Sequence, residues 1–98
     1  MKSIAMTLPR NWRDRLPLPS EYYASVLPNL DRPDTSGNAA ATCPFHIDMR
    51  RSLVVNLTGA KGLWRCSCCG RGDLVAFHMK RANLDFGPAV RDLIRFQP

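Results

Sequence analysis

Four cysteines and a histidine fall in a 27-residue stretch, at Cys43, His46, Cys66, Cys68 and Cys69, and this constrains the fold more than any other feature of the chain. Cys43-Pro44-Phe45-His46 sets a thiol and an imidazole two residues apart, and Cys66-Ser67-Cys68-Cys69 does the same for two thiols. Three of the four cysteines are crowded into four residues, too close to staple distant parts of a fold, so a two-disulfide scaffold is a poor reading. Two short-spaced ligand pairs joined by a longer loop are instead the sequence form of a tetrahedral zinc site. Each pair grips the ion from one tight turn, and the loop lets the two knuckles face each other. The expected ligands are Cys43, His46, Cys66 and Cys69, with Cys68 a spare thiol pointing away. The alternative places Cys68 in the site and leaves Cys69 out. A centre of three thiolates and one imidazole has no position open for a water nucleophile, so one structural Zn2+ is expected rather than a catalytic one. The second histidine, His78, lies in a helix-like stretch and reads as an ordinary helix residue.

The need for such an ion follows from size. A chain of 98 residues buries only about two thirds of its unfolded surface and usually leans on something besides its core. Apolar content of 45% argues against wholesale disorder. No apolar run approaches the ~18 residues of a membrane span, and residues 1–15 carry no apolar signal core, so a cytoplasmic protein is expected.

Along the chain, residues 1–19 are proline-studded and basic and read as a flexible arm, extended over 11–19 and anchored by Trp12. Residues 20–98 form the expected domain. Ser20 is placed to cap a helix beginning at Glu21, whose Tyr23, Val26 and Leu27 share a face. The run 31–42 is rich in turn-formers and small residues and reads as a loop. Leu53, Val55 and Leu57 alternate with polar or outward positions as in a strand, 58–62 supplies a turn, and 63–66 returns. Gly70-Arg71-Gly72 closes the second knuckle. Asp73 is a good N-cap for a helix from Leu74 to about Ala82, and a last helix begins near Phe86. The expected fold is α+β: a small zinc-ribbon antiparallel sheet of three to four strands with flanking helices.

Charge supplies the functional hint. Fourteen Lys plus Arg oppose eight Asp plus Glu, a net charge of +6. Three thiolates and one Zn2+ together subtract one, leaving a basic chain. Arg50, Arg51, Lys61, Arg65, Arg71, Lys80 and Arg81 face a single nearby acid, Asp73. Arginines beside a hairpin that carries an aromatic residue describe a platform for single-stranded nucleic acid, and Arg50, Arg51, Lys61, Trp64 and Arg65 are the expected contacts.

The run Cys43-Pro44-Phe45-His46-x-Asp48, then Ser52-Leu53-x-Val55, then Trp64-x-Cys66-x-x-Cys69-Gly70-x-Gly72-Asp73-x-x-x-Phe77 resembles the zinc-binding domain of DnaG-type DNA primases and their phage and plasmid relatives. Asp85-Phe86-x-x-Ala89-Val90 is similar to that family's last helix. Arg51 and Leu53 depart from it, standing where the family has proline and phenylalanine. The resemblance implies a ribbon-like sheet that binds single-stranded template DNA and works with a separate polymerase domain or helicase, as in a mobile element such as a plasmid or phage. The acids Asp14, Glu21, Asp31, Asp34, Asp48, Asp73, Asp85 and Asp92 are scattered, and nucleotidyl transfer needs them clustered around two divalent ions, so no enzyme activity is expected of the chain itself. The other function class is a zinc-ribbon adaptor that docks on a protein partner with its basic face incidental. A double-strand-specific regulator fits less well, because no helix shows a run of base-reading polar side chains.

Overall fold

The computed structural model describes residues 8–46 and 51–97. The chain enters through a short 3-10 turn, Trp12–Arg15, followed by helix α1, Pro19–Val26. Four strands follow, β1 (Asn38–Ala41), β2 (Leu53–Asn56), β3 (Trp64–Cys66) and β4 (Gly70–Gly72), and then two helices, α2 (Leu74–Ala82) and α3 (Phe86–Ile94). The strands form one antiparallel meander in the order β1-β2-β3-β4. The α+β class and the four-strand count agree with the sequence.

Register follows from the period of two. Ala39, Ala41, Leu53, Val55, Trp64 and Cys66 all point to the buried face. Ala40 pairs with Val54, Val54 with Arg65, and Arg65 with Arg71, so this row lies on the other face. Under the buried face α1 and α2 bring an aromatic cluster. Tyr22, Tyr23 and Phe77 are fully buried, and their rings meet edge-to-face at 5.0–6.1 Å between centroids. Such pairs add ~0.5–1.5 kcal/mol each beyond their area burial. The phenol of Tyr23 donates to the carbonyl of Gly62 at 2.6 Å, tying α1 to the β2–β3 turn. Gly62 has φ +61, which favours glycine, and a Cβ there would sit tightly, 3.1 Å from Leu74 Cβ.

Polar groups are also used to join the helices. His78 is 6% exposed. Its Nδ1 lies 2.8 Å from the Tyr22 phenol oxygen and its Nε2 2.6 Å from Asp92 Oδ2, so one ring links α1, α2 and α3. Burial pushes the Tyr22 phenol up to about 12, so at neutral pH it keeps its proton.

Several boundaries differ from the sequence reading. Helix α1 starts at Pro19, with Leu18 as the N-cap and no side-chain cap; Ser20 lies inside the helix. Proline at the first helical position is pre-set for the helix and needs no N–H, which decides the start. Within 11–19 the chain is not simply extended, since Trp12–Arg15 makes a 3-10 turn. Trp12 does anchor it, meeting the Phe86 ring edge-on at 5.5 Å. The run 31–42 contains β1. Its free border is closed from outside by the preceding loop, where the N–H groups of Asp31 and Asp34 donate to the carbonyls of Ala40 and Asn38, each at 2.8 Å. Gly70–Gly72 is a strand as well as the end of a knuckle. Asp73 caps α2 as expected, its Oδ1 accepting the Ala76 N–H at 2.9 Å.

Candidate metal centre

Each knuckle ends or begins a strand. Cys43 follows β1 after one residue, and His46 completes the turn Pro44–Phe45–His46. Cys66 is the last residue of β3, and Cys69 immediately precedes β4. Gly70, at φ +99, lets the chain reverse behind Cys69 into β4. Pairing β2 with both β1 and β3 therefore brings the two turns to one end of the sheet. One ligand atom from each of Cys43, His46, Cys66 and Cys69 lies within 4.8 Å of all the others.

The spacing suits a tetrahedral ion. Zn–S bonds of about 2.3 Å at the tetrahedral angle place two sulfurs about 3.8 Å apart. The sulfurs of Cys43 and Cys69 stand 3.8 Å apart. Nδ1 of His46 is 3.1 Å from Cys69 Sγ, slightly inside the ~3.5 Å that a relaxed Zn–N and Zn–S pair would set. Cys68 is exposed and outside this group, so the thiol left over is the one the spacing assigned.

The three thiols do not titrate alike. Burial, reinforced by the neighbouring Cys66 and Cys69, pushes Cys43 up to about 12. Burial pushes Cys66 the same way, yet the backbone N–H groups of Cys68 and Cys69 and the Ser52 hydroxyl favour its thiolate, and it falls to about 7. Cys69 is raised, by desolvation first and then by Cys66 and Cys68, against the Cys43 contact, which works the other way. Backbone N–H groups turned onto Cys66 favour its thiolate, the form in which a sulfur would hold a metal ion.

The CHC2 zinc finger family, the zinc ribbon of DnaG, matches residues 29–97. The chain belongs to this family. Its Cys-His-Cys-Cys group is one structural zinc site. Two DNA primases of Pseudomonas putida, one from strain KT2440, are each 32% identical over 89 residues. The matched region covers 80% of this chain and 13% of either primase, so the chain corresponds to a small part of those relatives. No solved structure matches it.

The expected nucleic-acid contacts are spread differently from the sequence reading. Arg65 is exposed on the outer sheet face, and Lys61 is exposed in the β2–β3 turn. Arg51 is turned back on the protein, donating to the Asn29 carbonyl at 2.5 Å and lying 3.4 Å from Asp31 Oδ1. Arg50 lies outside the described residues. Trp64 is 5% exposed, packs on Phe45 and Phe77, and donates its indole N–H to the Asp73 carbonyl at 3.0 Å, so only a small part of it reaches the cavity of the outer sheet face that it helps to line. Arg71, counted in the basic cluster but not among the expected contacts, stands opposite Arg65 on β4, and the Asn38–Asn56 pair on β1 and β2, which the sequence did not single out, lies on the same face.

Proposed function

We propose that this zinc ribbon binds single-stranded DNA across the outer face of its sheet and serves DNA replication as a template-holding part beside a polymerase or helicase, in a compact element such as a plasmid or phage. The carrying observation is the cross-strand pair Arg65–Arg71. Two like charges directly opposite on one sheet face repel each other in the free protein, and a phosphate between them reverses the sign of the interaction. They border a cavity of about 480 Å³ that Asn38, Val54, Asn56, Leu63 and Trp64 also line. Leu63 is 54% exposed, an apolar surface for an unstacked base beside cations for the backbone. The match to DNA primases supports the same reading.

Four of the eight carboxylates have structural partners, which supports a non-catalytic part. Asp31 faces Arg51, Asp34 Oδ1 accepts the N–H groups of Ser36 and Asn38, Asp73 caps α2, and Asp92 holds His78. Each serves the fold where it stands. No helix of the described residues is long and apolar enough to cross a membrane.

Fluorescence anisotropy of the zinc-loaded chain with labelled single- and double-stranded oligonucleotides, over a salt series, tests the proposal. Single strands should bind more tightly, and Arg65→Ala or Arg71→Ala should each reduce the salt slope by about 0.7. No single-strand binding at low salt would sink it. A partner protein retained after nuclease treatment, with no oligonucleotide binding, would favour the adaptor role instead.

A further inference from the structure

A second concave site lies on the other side of the sheet, against the first knuckle. Phe45 sits between the ligands Cys43 and His46, and its ring rests on Phe77 at 5.0 Å and on Trp64 at 5.7 Å between centroids. Those two neighbours are buried, so the ring is braced from within. Toward solvent, the ammonium of Lys80 lies 5.3 Å from the ring centroid. Lys80 and Arg81 are exposed residues of the last turn of α2. Pro44, Phe45, Lys80 and Arg81 line a cleft of about 320 Å³. That volume is at the low end for small-molecule sites and admits one small ligand.

The lining specifies the ligand's chemistry. One braced aromatic ring accepts a flat, electron-poor ring by stacking. Two adjacent cations, the Lys80 ammonium as a point charge and the planar Arg81 fork, which also reaches the Tyr22 phenol and keeps further N–H groups for a second acceptor, accept a phosphate group. Among the described lining residues there is no carboxylate to oppose an anion. Lysine at a helix C-terminus is an ordinary dipole partner, and this alone would give no site. Here, however, the lysine is folded over an aromatic face, an exposed contact that is weaker than stacking of a base on the same ring. An entering base takes the ring, and the released ammonium is left beside the phosphates.

We propose that this cleft binds a single nucleoside polyphosphate, its base on Phe45 and its phosphates between Lys80 and Arg81. The site uses none of the residues of the outer sheet face, so it stands or falls independently of single-strand binding there.

Trp64, in contact with Phe45, is a built-in reporter. The zinc-loaded full chain is titrated with magnesium-ATP while its tryptophan fluorescence and amide spectrum are followed. Saturable binding is expected, with shifts at Phe45 and at the end of α2. Lys80→Ala, an exposed change that leaves the fold alone, should weaken it about tenfold or more, as should Phe45→Leu, which keeps apolar bulk and removes the ring. Arg65→Ala should leave it unchanged. The proposal is overturned if ATP does not saturate, if inorganic triphosphate binds as tightly as ATP, if Lys80→Ala is without effect, or if Arg65→Ala removes the binding. A short oligonucleotide that binds at this cleft and is weakened by Lys80→Ala, where ATP does not bind, would overturn the free-nucleotide assignment.

Discussion

The two ends of this small domain are held by different physics. At one end, two turns of chain with little apolar surface are held by sulfur and nitrogen donors around one ion. At the other, Tyr22, Tyr23 and Phe77 close a buried aromatic cluster made of side-chain packing alone. Phe45 and Trp64 touch both, since each packs on Phe77 while standing within a knuckle or two residues from a ligand. The difference teaches that the metal is not a substitute for a core spread evenly through the fold. It rescues the one end where the sequence supplies glycine, serine and cysteine instead of leucine and valine.

Breaking that comparison at the metal should give the largest effect. Cys66→Ser removes the sulfur that the backbone N–H groups prepare, and structural zinc sites contribute on the order of 10 kcal/mol, comparable to the stability of a whole small domain. The variant should lose stoichiometric zinc by elemental analysis and show no cooperative thermal transition by circular dichroism. A persistent native tyrosine signal would mean that the aromatic end folds alone. The same centre should be sensitive to acid. With Cys43 and Cys69 raised and Cys66 near 7, an ion arriving at neutral pH displaces about two to three protons. Apparent zinc affinity should therefore rise with pH and fall as pH drops from 8 to 6, measured by competition with a chelating dye; a flat profile would contradict the thiol protonation described above.

At the other end, Phe77→Ala should cost ~3–5 kcal/mol as a cavity opens below Tyr22, Tyr23 and Trp64. Its signature is a lowered midpoint in urea with zinc stoichiometry kept at one per chain. Smaller still, Tyr22→Phe strips the partner from His78 Nδ1 and should cost ~1–3 kcal/mol, the desolvation of one buried polar atom. Asp92→Asn in the same background would sharpen this: strong non-additivity is expected if the three groups act as one chain.

Much of the metal end was legible in the sequence, because ligand spacing is a local code. Cys43-x-x-His46 and Cys66-x-x-Cys69 identify their own turns, and Asp73 announces α2. Strand β1 was not legible. Asn-Ala-Ala-Ala has no β-branched or aromatic residue, and its conformation comes from pairing with Leu53–Asn56, a partner distant in sequence. The burial of Trp64 was within reach and missed. Trp64 and Cys66 are two apart on one strand, so a cysteine facing an inner metal puts the indole on the same inner side. The role of His78 depended on Tyr22 and Asp92 meeting it from two other helices, which no local pattern encodes.

One last consequence concerns the borders of the sheet. On one side the loop before β1 already occupies that strand's open carbonyls, and on the other β4 is three residues long with an arginine at its centre. Neither offers a template long enough for another chain to zip onto. Copies crowded together would therefore meet no strand edge on which to build a ladder.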